Sequence, residues 1–232
     1  MTITTVGFDA DDTLWHNETI FRLTQDRFAE LLSDRADPED LKARLAATER
    51  RNLSLYGYGV KGFTLSLIET AMELCGGEAP PHVIREILAA GREMLAHPVE
   101  TLPGVDEALA ATAEKHRIIL ITKGDLFDQE RKVAASGLGD LFAAVEIVSE
   151  KDCACYQRIF ARHGTGPEEA AMVGNAMRSD ILPALQAGAF AAFVPYPLVW
   201  AHEADAAPQN HPRYWELASI AEVPAWLEKI AG

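Results

Sequence analysis

Short apolar runs alternate with segments of helical periodicity along much of this 232-residue chain, and this alternation constrains its fold more than any other feature. The runs are rich in Val, Ile, Phe or Ala and end in small or polar residues; they occupy 3–8, 117–122, 143–149, 171–173 and 191–194. The helical segments between them occupy 102–116, 127–142 and 179–190. Buried strands separated by helices are typical of a parallel sheet covered on both faces. The sequence therefore predicts a doubly wound α/β core with right-handed crossovers.

Residues 16–100 interrupt this rhythm. Four segments within them carry apolar residues every three to four positions, with turn residues between, and none reads as a strand. We predict a four-helix domain at 16–100, inserted into an α/β core made of 1–15 and 101–232. The tail from residue 202 is expected to begin as a loop and to end in a helix.

The overall charge limits the classes of partner. The formal net charge is −14, whereas contact with a nucleic-acid backbone or an anionic membrane surface needs clustered Lys and Arg. We therefore expect no nucleic-acid partner and no membrane partner. An acidic protein can still contain a locally cationic pocket, so a small anionic substrate remains compatible with this composition.

The N-terminus, the apolar stretches and the cysteines lead us to expect a cytoplasmic protein. No stretch approaches the roughly 20 apolar residues of a membrane span, and the N-terminus does not resemble a signal peptide. Three cysteines provide no disulfide framework. The pair Cys153 and Cys155 is interpreted as reduced thiols at a helix start rather than as half of a metal site, because no second Cys/His pair accompanies it.

Three carboxylates follow the first apolar run, in the stretch VGFDADDTLW at 6–15. Asp9, Asp11 and Asp12 would repel one another there and resist losing water, so a compensating group is expected nearby. Ligands of open α/β sheets bind beyond the carboxyl ends of the strands. The other predicted strand ends carry Thr122, Lys123 and Gly124, then Lys151, then Gly174, Asn175 and Asp180.

Transfer of a phosphoryl group from an ester needs such a set. A dianionic phosphoryl group does not approach a bare carboxylate, since both are negative, and a divalent cation between them removes this repulsion. Mg²⁺ prefers oxygen ligands and retains several waters, so two or three protein oxygens suffice. Asp9 and Asp180 are the predicted ligand side chains, and a bound Mg²⁺ would explain why the crowded carboxylates are tolerated.

Four motifs in order resemble those of the haloacid dehalogenase-like hydrolase superfamily, specifically its phosphatases with a helical, C1-type cap. DADDT at 9–13 resembles the first motif, ILITKG at 119–124 the second, SEKD at 149–152 the third and VGNAMRSD at 173–180 the fourth. The resemblance covers nearly the whole predicted core, and the inserted helices match the family's cap in position and type.

The resemblance implies a role for each motif residue. Asp9 is similar to the nucleophile that becomes an aspartyl-phosphate, and Asp11 to the general acid that later activates water. The main-chain carbonyl at the position of Asp11 is the family's usual metal ligand. Thr122, with neighbouring N–H groups that include those of Lys123 and Gly124, would hold phosphoryl oxygens. The remaining roles are charge neutralisation by Lys151 and metal binding by Asp180.

The fourth motif departs from the family pattern at two positions. Asn175 stands where the family usually has an acidic residue. An amide oxygen can still bind Mg²⁺ or hold its water, so weaker metal affinity is expected rather than loss of activity. Ala176 stands where Ser is common, and this substitution could loosen the loop.

Other functions remain open at this point. A 2-haloacid dehalogenase shares the fold but lacks an acidic residue at the position of Asp11, and a sugar-phosphate mutase shares all four motifs. A non-catalytic module that binds a phosphorylated metabolite is the alternative outside enzymes. We expect a small phosphorylated metabolite as the partner and a monomer or homodimer as the assembly.

Lys61 is a candidate substrate contact outside the core. It lies in the turn LYGYGVKGF at 55–63, which has three glycines and three aromatic residues. This turn could touch a substrate, or it could be an ordinary connection between two helices whose aromatic residues cover the domain's interior. The sequence does not distinguish these two interpretations.

Overall fold

The computed structural model describes residues 2–231 and divides them into two compact units. The core unit contains the described residues up to Glu18, Val99–Lys123 and the described residues from Gln129 onward. The helical unit contains Thr19–Pro98 and Gly124–Asp128. These boundaries lie a few residues from the predicted ones at 15/16 and 100/101. The assignment of Gly124–Asp128 to the helical unit was not anticipated.

The core unit is built on one parallel sheet of six strands among the described residues, in the order β3-β2-β1-β4-β5-β6. The strands are β1 Thr5–Phe8, β2 Arg117–Lys123, β3 Ala144–Val148, β4 Ala170–Gly174, β5 Phe190–Phe193 and β6 Tyr214–Glu216. The chain runs outward from β1 to β3 on one side and from β4 to β6 on the other. This is the doubly wound α/β fold that the sequence predicts.

Apolar layers cover both faces of this sheet. Alternate strand residues point to opposite faces, so Val6 and Phe8 join one buried cluster while Ile119 and Ile121 of the neighbouring strand join the other. Gly7 allows this close packing, because a Cβ atom there would lie 2.8 Å from Ile121 Cδ1. The rigid centre of the sheet thus ends at Phe8, immediately before the first candidate site residue.

The helices around the sheet largely follow the apolar periodicity, with one difference. They are α5 Val105–Ala113, α6 Leu126–Ser136, α7 Cys153–His163, α8 Leu182–Ala187 and α9 Val223–Ala231. The helix predicted within 127–142, with Gly137 as its C-cap, does end at Ser136, because Gly137 adopts a left-handed conformation with φ 72°, and a 3₁₀ turn follows. The helix expected from 179 begins later, after one π-helical turn at Met177–Ile181.

The sequence predicts a loop at the start of the segment after residue 202 and a helix at its end, but not the strand that lies between them. Tyr214–Glu216 forms β6 and pairs with β5 at the edge of the sheet. A strand of three residues, with Pro212 shortly before it, is too short to give a two-residue periodicity. Only pairing with an existing strand can define such an element.

The helical unit contains the four predicted helices and a buried apolar cluster of its own. The helices are α1 Glu18–Leu31, which begins in the core unit, α2 Pro38–Tyr56, α3 Val60–Leu74 and α4 Pro81–Ala96. Phe28, Leu41, Phe63, Leu67 and Ile87 are among the side chains buried between them. Within residues 2–231, no helix combines the length and apolar character needed to cross a membrane.

Candidate active site

The candidate residues lie where the parallel strands end. Asp9 follows β1 directly, and its N–H donates to Val173 O of β4 over 2.9 Å. Lys151 lies three residues beyond β3, and Asn175 directly follows β4. Because neighbouring parallel strands end at the same edge of a sheet, residues far apart in the sequence are brought to one place.

Asp9, Lys151 and Asp180 form a buried ionic cluster at this edge. Lys151 Nζ lies 2.5 Å from Asp9 Oδ1 and 2.7 Å from Asp180 Oδ1. The side chains of Lys151 and Asp180 are 1% and 0% exposed, whereas that of Asp9 is 10% exposed. One cation therefore compensates two carboxylates, and Asp9 alone of the three keeps an accessible edge.

Burial shifts the proton affinities within this cluster. Loss of solvent, followed by repulsion from Asp180, raises the pKa of Asp9 to about 7 although Lys151 opposes the shift. Burial by itself would lower the pKa of Lys151, but the adjacent Asp180 and Asp9 carboxylates raise it above its usual value. Lys151 thus stays charged, and the charge on Asp9 depends on further positive charge nearby.

The turn after β4 fixes Asp180. Its Oδ2 accepts a hydrogen bond of 2.9 Å from Ala176 N, and a Cβ atom on Gly174 would lie 2.3 Å from the same oxygen. The π-helical turn brings Asp180 N and Ile181 N to one acceptor, Ala176 O, at 2.9 Å and 3.2 Å. Both carboxylate oxygens of Asp180 are therefore occupied by Lys151 and by the main chain.

Oxygen atoms converge around the Asn175 side chain. One of the two terminal atoms of the Asn175 side-chain amide lies 3.1 Å from Asp9 Oδ2, 3.1 Å from Thr13 Oγ1 and 3.2 Å from the Asp11 carbonyl oxygen. These neighbours are satisfied when the amide nitrogen faces them and donates. The hydroxyl of Thr13 donates to Asp9 Oδ2 over 3.0 Å. The Asn175 amide is therefore a hydrogen-bond donor that these oxygens share.

This donor set fits a magnesium ion. Within residues 2–231, no three His, Cys, Asp or Glu side chains form a group that could hold a metal. The oxygens that meet here are instead a carboxylate oxygen of Asp9 and the main-chain carbonyl oxygen of Asp11, and the Asn175 amide, whose nitrogen faces them, would add its own oxygen by turning over. Mg²⁺ accepts few protein oxygens and keeps waters at its other positions, so this mixed set is chemically suitable.

The Asp11 side chain is held by Trp15 and by two residues of α6, Gln129 and Lys132, that the sequence analysis did not identify. Its Oδ1 accepts from Trp15 Nε1 over 2.7 Å, and its Oδ2 accepts from Gln129 Nε2 over 2.9 Å. Lys132 Nζ lies 2.9 Å and 3.1 Å from the two oxygens. Burial would raise the pKa of Asp11, but Lys132 and the other donors lower it below its usual value.

Asp12 has a structural position. It adopts φ 62°, and its carboxylate accepts hydrogen bonds from the N–H groups of Asn17 and Glu18 at 2.8–3.0 Å. It therefore closes the turn after β1 and caps the start of α1, as expected for a turn residue. Because its carboxylate is buried, the pKa of Asp12 is raised to about 7.

The second motif contributes a buried threonine, Thr122, and a lysine, Lys123, that forms an ion pair. Thr122 is 1% exposed at the end of β2, two residues beyond Leu120, which pairs with Phe8 of β1. The next residue, Lys123, lies 2.5 Å from Glu203 Oε1. Glu203 comes from the segment after β5, which the sequence analysis did not connect with the site. Gly124 belongs to the helical unit and adopts φ 149°.

Lys61 forms its interactions inside the helical unit. It lies in the first turn of α3, and its Nζ is 2.9 Å from Asp125 Oδ1 and 5.8 Å from the centre of the Phe127 ring. Asp125 and Phe127 belong to Gly124–Asp128, the segment directly after the second motif in the chain. The proposed contact of Lys61 with a substrate remains a prediction.

The core arrangement can support nucleophilic and proton-transfer chemistry. Asp9 presents one accessible carboxylate beside a fixed lysine and beside oxygens suited to a cation, so it is placed to attack an electrophile. Asp11 provides a second carboxyl group two positions away, and carboxyl groups can exchange protons with a leaving group or with water. Lys151 would stabilise negative charge that develops between them.

Comparisons with known proteins assign the family. The family model described as haloacid dehalogenase-like hydrolase matches residues 3–188. A haloacid dehalogenase-like family hydrolase from Xanthomonas campestris is 42% identical, with a TM-score of 0.88 and coverage of 99% of this chain and 92% of that one. No curated protein matches.

More distant structures share the fold. YfnB from Bacillus subtilis, bound to magnesium, is 16% identical with a TM-score of 0.67, and the match covers 98% of this chain and 100% of YfnB. L-2-haloacid dehalogenase from Xanthobacter autotrophicus, with chloropropionic acid covalently bound, is 16% identical with a TM-score of 0.68, and the match covers 99% and 100%. The sheet order, the residues gathered at its edge and the family match lead to one conclusion: the chain belongs to the haloacid dehalogenase-like hydrolase family.

Proposed function

We propose that the protein is a Mg²⁺-dependent phosphatase that hydrolyses a small phosphate monoester through an aspartyl-phosphate on Asp9. The substrate is expected to be a small phosphorylated metabolite of the cytoplasm. Membership of the hydrolase family supports the hydrolytic reaction, and the residues at the sheet edge support the choice of phosphorus as the centre attacked.

The observation that carries this proposal is the carboxyl group of Asp11, held in place two positions after Asp9. An alkoxide leaving from a phosphate ester is strongly basic, so its departure needs a proton from a neighbouring acid. A halide leaving from a haloacid departs as a stable anion and needs none. A dedicated second carboxyl group therefore favours phosphate esters over haloacids.

In this proposal the reaction has two steps, formation of the aspartyl-phosphate and its hydrolysis. In the first, an Asp9 oxygen forms a bond to phosphorus, the bond between phosphorus and the ester oxygen breaks, and Asp11 gives its proton to that oxygen. In the second, Asp11 takes a proton from water, the water oxygen binds phosphorus, and the bond to Asp9 breaks. Phosphate leaves, and both carboxyl groups return to their starting states.

The metal and Lys151 have complementary roles in this scheme. Asp9, the Asp11 carbonyl and Asn175 would hold Mg²⁺. Asp180, which the sequence analysis expected to bind the ion directly, instead supports the site, because Lys151 and the turn after β4 occupy its two carboxylate oxygens. When bound, the ion reduces the repulsion between the phosphoryl group and Asp9. Lys151 neutralises the Asp9 carboxylate from the other side, and Thr122 with the N–H groups near it would hold phosphoryl oxygens.

A substrate panel tests the proposal directly. Sugar, nucleotide and amino-acid phosphates should release inorganic phosphate with Mg²⁺ present, and EDTA should abolish the release because Asp9 then lacks its second positive neighbour. Release of chloride from 2-chloropropionate, without phosphate release, would instead identify a dehalogenase. Interconversion of isomeric sugar phosphates would identify a mutase, and saturable binding without turnover a non-catalytic module.

Replacing Asn175 by Asp should change how Mg²⁺ is bound. The added carboxylate would face Asp9 and the Asp11 carbonyl at about 3 Å, so Mg²⁺ affinity should rise on the order of tenfold. When EDTA removes the ion, repulsion between the added carboxylate and these oxygens should lower the melting temperature. Calorimetric titration with Mg²⁺ and thermal unfolding, both without substrate, measure the two effects.

The substitution Gln209→Glu adds one negative charge at an exposed position and serves as the control. It should leave Mg²⁺ affinity and the melting temperature near their original values. Equal Mg²⁺ affinity in Asn175→Asp and the original protein would show that residue 175 does not face the ion.

A further inference from the structure

The side chain of Asp11 is enclosed by more donors than a surface carboxylate receives. Trp15 donates to Oδ1, Gln129 donates to Oδ2, and Lys132 Nζ reaches both oxygens at 2.9 Å and 3.1 Å. Each carboxylate oxygen thus has two donors. Such a set fixes both the position of the carboxyl group and its rotation about the side-chain torsions.

Lys132 is itself held in place. Its Nζ also donates to Asn17 Oδ1 over 2.8 Å, and its side chain is only 11% exposed. Gln129 lies one turn earlier on α6, at the spacing that puts two side chains on the same helix face. An exposed lysine would lose considerable side-chain entropy on being fixed, so a pair of this kind contributes little at a surface. Here the buried position and the several partners of the ammonium group favour one arrangement.

We propose that Lys132 is a positioning residue that holds the Asp11 carboxyl group in the place from which it exchanges protons with the leaving group and with water. The inference rests on the proposed function, because it assigns Asp11 the proton transfers of both steps. Lys132 does not touch the reacting atoms in this scheme. Its effect is geometric, since misplacing a reacting group by about 1 Å can reduce a rate about 100-fold.

The two steps depend on Asp11 differently for different substrates. An aryl phosphate has a good leaving group, so its first step needs little help from an acid, whereas the attack of water still needs a base. Loss of Asp11 positioning should therefore slow only the second step for aryl phosphates. For alkyl phosphates it should slow both steps.

The test is the variant Lys132→Met. With an alkyl phosphate, we expect kcat to fall about 100-fold with KM changed less than about threefold, because both steps slow and the ground state is bound as before. With an aryl phosphate, KM should fall together with kcat, because only hydrolysis of the aspartyl-phosphate slows and kcat/KM depends on the first step alone. With an aryl phosphate, rapid mixing should reveal a burst of one equivalent of aryl alcohol per enzyme before slow turnover. With an alkyl phosphate, no burst should occur. Lys132→Arg, which retains a cation, should recover part of the lost rate.

A double-mutant cycle with Asp11→Asn separates positioning from other roles. If Lys132 acts through Asp11, Lys132→Met should cause no further loss of kcat in the Asp11→Asn background. Lys115→Met removes an exposed ammonium group paired with Glu228 and is the matched control, expected to leave kinetics unchanged. Lys132→Gln, which retains one donor, replaces the Met variant if that chain does not fold.

Three results would overturn the inference. Additive losses in the cycle would show that Lys132 acts independently of Asp11. A rise in KM with unchanged kcat would make Lys132 a substrate contact, and unchanged kinetics would make it a stabilising pair. Failure of the proposed function is distinct from these outcomes, because the unsubstituted protein would then release no phosphate from any ester of the panel, or Asp9→Asn would retain full turnover.

Discussion

Replacing Asp9 by Asn is expected to lower phosphatase turnover by about 10⁴-fold or more while the fold persists. The amide lacks the anionic oxygen that forms the bond to phosphorus. Lys151 retains its ion pair with Asp180 at 2.7 Å, so the variant leaves no buried cation without a partner. Steady-state phosphate release, measured beside circular dichroism spectra, tests both parts of this expectation.

The free energy of unfolding of Asp9→Asn, relative to that of the original protein, should increase as the pH rises. The pKa of Asp9 is raised from 3.8 to about 7, so the carboxyl group contributes stability below pH 3.8 that is lost as pH increases through about 7. In EDTA, the advantage of Asp9→Asn over the original protein in free energy of unfolding should therefore grow from pH 4 to 7 and then remain level.

Urea unfolding at several pH values measures this difference. Thr122→Ser is a suitable companion, because it alters the neighbouring strand end without changing any charge. Full turnover by Asp9→Asn would remove the aspartyl-phosphate mechanism. A stability difference that did not depend on pH would show that Asp9 carries no unfavourable charge in the folded protein.

Replacing Lys151 by Met should have the largest effect on stability. The substitution leaves two buried carboxylates, Asp9 and Asp180, without the cation that lies between them. Breaking a buried ion pair by removing one partner costs about 3–5 kcal/mol in free energy of unfolding. Turnover should also be lost, because charge on Asp9 and on the phosphoryl group would no longer be neutralised from this side.

The loss of stability in Lys151→Met should become larger as the pH rises. Without Lys151, the pKa of Asp9, which burial and Asp180 already raise, rises further, so protonation of Asp9 relieves its repulsion with Asp180 as pH falls. Lys151→Met should therefore be strongly destabilised at pH 8 and less so at pH 5.5, as measured by urea unfolding in EDTA. Adding Asp180→Asn should restore part of the stability but not the activity. Equal stability of Lys151→Met and the original protein at pH 8 would contradict the account of this cluster.

Much of the fold followed from local sequence patterns. The apolar run before Asp9 contains the central strand Thr5–Phe8, whose residues are all buried by neighbours on both sides and both faces. Parallel strands joined by helices end at one edge, so grouping the polar residues after each strand needed no knowledge of side-chain contacts. The structure accordingly brings Asp9, Lys151 and Asp180 within hydrogen-bonding distance.

Other features of the fold lay beyond any local pattern. The strand Tyr214–Glu216 exists because β5 offers an open edge, and the turn at Met177–Ile181 takes its π-helical form where Asp180 packs against Gly174. Neither feature has a sequence period of its own. Both are decided by what the chain meets after the rest of the sheet has formed.

The layered α/β architecture, the inserted helices and the grouping of polar residues at the sheet edge could be predicted from local patterns, because they follow from periodicity and from the direction of the strands. The partners of those residues depend on the folded core. Asp11 and Lys132, 121 positions apart, meet only after β1 and α6 have packed, as do Lys123 and Glu203. Contacts of that kind depend on distances fixed by the assembled core, and no pattern of neighbouring residues encodes them.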